Sequence, residues 1–67
     1  MIYKIIFLKP FWTAAAAMEW LSMNNEHFIE YDDNSHFHTF TINKRNYISS
    51  SDLEILAFDS NTFLLCD

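Results

Sequence analysis

The 67 residues of this chain include no glycine. Average usage is roughly 7%, so about five are expected in this length. Glycine is the residue that turns a backbone through positive φ without steric cost. A chain without it must turn on Asn and Asp, the next most tolerant types. These cluster at Asn24-Asn25, Asp32-Asp33-Asn34-Ser35, Asn43 and Asp59-Ser60-Asn61, so the breaks in the fold are expected there. Phosphate-cradling loops and nucleophile elbows, which are built on glycine, have no counterpart.

The segments between those breaks have readable periods. Ile2 to Leu8 is a strand in β-branched and aromatic residues, with Ile2, Lys4, Ile6 and Leu8 on one face and Tyr3, Ile5 and Phe7 on the other. Both faces are largely apolar, which predicts a central strand or one with a covered back. Pro10 ends it, because proline cannot donate to a ladder. Thr13 is the expected N-cap of a helix over Ala14 to Met23. Ala14, Ala17, Met18 and Leu21 recur at helical spacing and form its expected core face, with Trp20 flanking them. Asn24 and Asn25 supply the stop.

A second strand is expected over His27–Tyr31, a turn at Asp32–Ser35, and a third strand over His36–Ile42. His38, Phe40 and Ile42 are its expected core side; Phe37, Thr39 and Thr41 face away. Asn43 to Asp52 reads as polar and irregular, anchored by Tyr47 and Ile48, and Ser51-Asp52 could instead cap a short helix. A last hairpin pairs Leu53–Phe58 with Thr62–Cys66 across Asp59-Ser60-Asn61. The order is β-α-β-β-β-β, which predicts a single α+β domain over residues 1–67, one helix packed on a small antiparallel sheet.

A chain this short buries only about 60% of its unfolded surface. The content offsets that: 51% of residues are hydrophobic, with seven Phe, three Tyr and two Trp. Cys66 is the single cysteine, so no internal disulfide supports the fold, which favours a reducing, intracellular setting. The apolar run near the N-terminus is cut by Lys9 and Pro10, short of the roughly 7–15 residues of a signal-peptide core and the ~20 of a membrane span. The net charge is −5, nine acids against four bases. That balance argues against nucleic acid and an anionic membrane as partners. It suits a basic partner, or solubility alone.

Site chemistry is sparse. His36 and His38 form an H-x-H pair, with His27 on the expected partner strand; such imidazoles can share a metal, or simply decorate a surface strand. Lys44-Arg45 beside Tyr47 is the one basic doublet. Ser49-Ser50-Ser51 has no glycine elbow beside it, so no catalytic residue, metal ligand or cofactor is assigned and the chain reads as a non-enzyme.

Phe11, Thr13, Ala17, Trp20, Leu21 and Asn24 form the pattern aromatic, Thr-x-x-x-Ala-x-x-Trp-Leu, Asn. Together with the preceding strand and Phe37–Ile42 after it, this resembles a short strand–helix–strand module in proteins of tailed phages and large DNA viruses. In that module the following strand is usually basic, whereas here it carries His and Thr. The resemblance implies a viral accessory or virion protein, placed in a host cytoplasm or a virion, and no catalytic residue.

The expected function is therefore a small, non-catalytic protein–protein interaction module. Its partner would be a host factor, a viral assembly subunit or a second copy of the chain. Aromatics and Met are enriched at interfaces. Trp12, Ala15, Ala16, Trp20, Met23 and Tyr47 are accordingly the expected contact residues. The alternative is a small nucleic-acid- or metal-binding domain using Lys44, Arg45 and the histidines.

Overall fold

A computed structural model describes residues 2–43 and 53–66. Strand β1 (Ile2–Leu8) is followed by helix α1 (Ala14–Met23) and strands β2 (Glu30–Asp33), β3 (Phe37–Thr41), β4 (Glu54–Asp59) and β5 (Thr62–Cys66). The five strands form one sheet in the order β2-β3-β1-β5-β4, every neighbouring pair antiparallel. The chain is thus α+β with one helix and a five-stranded antiparallel sheet, as its periodicity predicts. β1 lies at the centre, which accounts for its two apolar faces.

The helix ends follow the glycine-free logic. The Thr13 hydroxyl accepts from the Ala16 N–H at 3.1 Å, satisfying one orphan donor of the first turn. At the other end Asn25 takes φ 56°, the only positive φ among the described residues. The Asn25 N–H donates to the Ser22 carbonyl at 3.2 Å and the Glu26 N–H to the Leu21 carbonyl at 2.8 Å. That is a Schellman closure with Asn in the place glycine normally takes. The two hairpins turn on side-chain acceptors instead. Asn34 Oδ1 accepts from the N–H groups of His36 and Phe37, each at 2.8 Å. Asp59 Oδ1 accepts from the Asn61 N–H at 2.8 Å. The primed hairpin turns need positive φ, which residues 60 and 61 do not adopt, and the register shifts between Ala57 and Asp59 just before this turn.

The core lies between helix and sheet. Ile5, Phe7, Ala17, Leu21 and Phe40 are buried, with Trp12, Trp20, Tyr31 and Leu64 packed against them. Phe7 is its hub: Trp12, Trp20 and Phe40 meet its ring edge-on at 4.9, 5.6 and 5.6 Å between centroids. The fully buried Ala17 lets the helix approach closely.

Three expectations need correction. Met18 is 39% exposed, not core, because Trp20 takes the space over Phe7 and rotates the buried stripe onto Ala17, Trp20 and Leu21. The second strand is Glu30–Asp33, not His27–Tyr31, so Asp32 and Asp33 belong to a strand and the turn starts at Asn34. Pairing with β3 overrides the low strand propensity of Asp at a sheet edge. His36 sits in that turn, outside β3, while His38 and Phe40 are buried as expected. Thr41 does face away from the helix side, beside Lys4, and is buried there. Tyr47, Ile48 and the Lys44-Arg45 doublet lie outside the described residues.

Candidate interaction surface

Five of the six expected contact residues lie among the described residues, and they fall into two environments. Trp12 and Trp20 are half-buried and spend their rings on Phe7; Trp20 also meets Phe58 edge-on at 5.5 Å. Ala15 and Ala16 are exposed on the outer helix face, and Met23 is 77% exposed near its end. The helix strip therefore offers one flexible side chain and two methyl groups, its Trp20 being turned inward.

The histidines do not converge. His27 lies off any strand, His36 is exposed beside Phe37, and His38 is buried. Both ring nitrogens of His38 are engaged. Nε2 lies 3.0 Å from the Trp12 carbonyl, which can only accept, so Nε2 carries a proton. In the neutral ring Nδ1 then accepts from the Tyr31 hydroxyl, 2.8 Å away. The Tyr31 ring stacks over the imidazole. This places His38 as a strut that ties the loop before α1 to β2 and β3, and a metal could reach it only by displacing one of these partners. Among the described residues no three His, Cys, Asp or Glu side chains come together as a metal site.

Beside the strut, the Lys9 ammonium pairs with the Asp33 carboxylate and donates to the Asn34 carbonyl. The Lys9 hydrogen bond, helped by the Lys9 and His38 charges, holds the Asp33 carboxyl below its ordinary range. Lys4 leans over the Tyr3 ring at 5.3 Å. Neither described lysine joins a basic patch, and no described helix is long and apolar enough to cross a membrane.

A run of exposed apolar side chains lies at the other edge of the sheet. β4 is bonded to β5 on one side, and all six of its residues are exposed. Ile55, Leu56 and Phe58 are 68%, 48% and 59% exposed. Glu54 and Asp59 bracket this run. The register places Leu56 beside Leu64, the helix side of the sheet, and Ile55 and Ala57 beside Leu65 and Phe63, the far side. The sequence shows Ile55-Leu56-Ala57-Phe58 as a strand. Its place at an edge is a property of the strand order and has no local signal.

A shallow groove of about 220 Å³ lies on the opposite flank, between α1 and the loop after it, lined by Met18, Leu21, Ser22, Glu26, His27 and Phe28. It is open and small beside the ~300–1,000 Å³ of typical ligand clefts. No protein-family model, curated protein or solved structure matches this chain.

Proposed function

We propose that the chain is a small, non-catalytic protein–protein interaction module. The observation that carries this reading is β4, an edge strand that leaves Ile55, Leu56 and Phe58 in solvent. Natural sheets blunt their edges with Lys, Pro or inward charges, or cover them. The apolar stretch of β4 has none of these residues, and its register shift falls at its end, between Ala57 and Asp59. Contiguous exposed apolar surface on a small protein marks a binding site. The resemblance of the strand–helix–strand segment supports a role as an accessory or virion subunit of a virus or phage, or as an inhibitor of a host factor.

A photo-crosslinking amino acid placed at Leu56, at Met23 or, as the control, at the exposed Asp32 of β2 tests this in the cell of origin. The reading expects a discrete protein adduct from Leu56 or Met23 and none from the control position. Adducts at no position, with the protein monodisperse and monomeric, would refute it.

A further inference from the structure

We infer that β4 receives its partner by strand addition, and that the partner is an extended apolar segment flanked by basic residues. This rests on the interaction-module reading and specifies its surface. In strand addition, main-chain hydrogen bonds supply affinity and alternate side chains supply specificity. β4 has the geometry for both. β5 occupies one side of its backbone, so the ladder groups on the other side point outward. Its apolar side chains present Leu56 on the helix side and Ile55 and Ala57 on the far side. A strand laid beside it would meet apolar neighbours at both parities, so its centre must be apolar at successive positions.

The ends of β4 decide which such strand fits. Glu54 and Asp59 are the first and last residues of the strand, and both are exposed. Like charges directly opposite across a pair are destabilising, and opposite charges are favourable. A second copy pairing antiparallel in full register would set Glu54 against Asp59 at both ends. Pairing parallel would set Glu54 against Glu54 and Asp59 against Asp59. The net charge of −5 per chain adds to that repulsion. The acids thus act as gatekeepers against self-association, while Lys or Arg about five positions apart on a partner would meet one acid each. Six residues at about 3.4 Å per residue set the length of segment that fits.

The probe is a capped hexapeptide with Lys at each end and four Ile or Val residues between. Its controls are the same peptide with Glu at each end, and one N-methylated at alternate residues to remove donors. Binding is followed by backbone amide shifts of the intact protein at low and high salt. Strand addition expects the Lys-flanked peptide to bind about tenfold tighter than the Glu-flanked one at low salt. The shifts should centre on Glu54–Ala57, and N-methylation should abolish them. The variant Glu54→Lys with Asp59→Asn keeps the side-chain acceptor that closes the turn, and should erase the preference. Equal binding by the two, or dimerisation of the free protein through β4, would overturn the basic-flanked partner, and no binding by the Lys-flanked peptide would overturn strand addition itself. Shifts confined to the groove around Met18 and Phe28 would overturn it too, yet leave the module reading standing. That broader reading fails only on the crosslinking result.

Discussion

Replacing Trp20 with Ala separates two roles for that residue. As a partner anchor, Trp20 would cost binding and leave folding intact. The structure places it half-buried, edge-on to Phe7 at 5.6 Å and to Phe58 at 5.5 Å. A Trp ring so placed removes about 150 Å² of apolar surface from water. At ~25 cal/mol per Å² that is worth about 4 kcal/mol, and allowing for a compact denatured chain lowers it to about 3 kcal/mol. A domain of this size has only about 3–10 kcal/mol in total. Trp20→Ala is therefore expected to remove a third or more of the stability. Phe58 also loses its ring partner, so amide exchange in β4 should accelerate more than in β1. Urea unfolding followed by Trp12 fluorescence measures the first effect, and hydrogen exchange the second. A loss below about 0.5 kcal/mol, the range of ordinary surface substitutions, would refute the placement of Trp20 in the core.

Other substitutions probe separate parts of the structure. Tyr31→Phe leaves His38 Nδ1 without its hydroxyl donor in a buried setting, and is expected to cost about 1–2 kcal/mol in urea unfolding. Thr62 is fully buried and its hydroxyl has no partner among the described residues, so Thr62→Val is expected to stabilise by about 1 kcal/mol. Asp33 has its carboxyl held low by Lys9 in the folded state. The unfolded chain then binds the proton more readily in the acid range. The pair's contribution is present above the ordinary Asp value and is lost as pH falls through the folded value. Asp33→Asn should flatten that part of the acid-unfolding curve, and an unchanged curve would contradict the pairing.

What the sequence made legible was local. Thr13 capping Ala16 and Asn25 replacing a terminal glycine follow from residue type and spacing over one or two turns. The central position of β1 follows from its two apolar faces. The misplacements came from contacts distant in sequence. Asp32 and Asp33 are strand residues because β3 pairs with them and Lys9 neutralises Asp33, twenty-four positions away. Met18 leaves the core because Trp20 fits the space over Phe7 better, a choice set by volume rather than period. His38 looks like half of a metal pair until the carbonyl of Trp12 closes its second nitrogen. The exposure of β4 depends on β1, the first strand, occupying the middle of the sheet and pairing with β5, which leaves the first strand of the last hairpin outermost.

Intermolecular nuclear Overhauser contacts in a mixture of labelled protein and unlabelled Lys-flanked hexapeptide test strand addition at β4 most directly. Cross-strand Hα and amide contacts from the peptide to Glu54, Ile55, Leu56 and Ala57, repeating every second residue, are the predicted result. Contacts from the peptide to α1 or the loop after it, with β4 untouched, would contradict it.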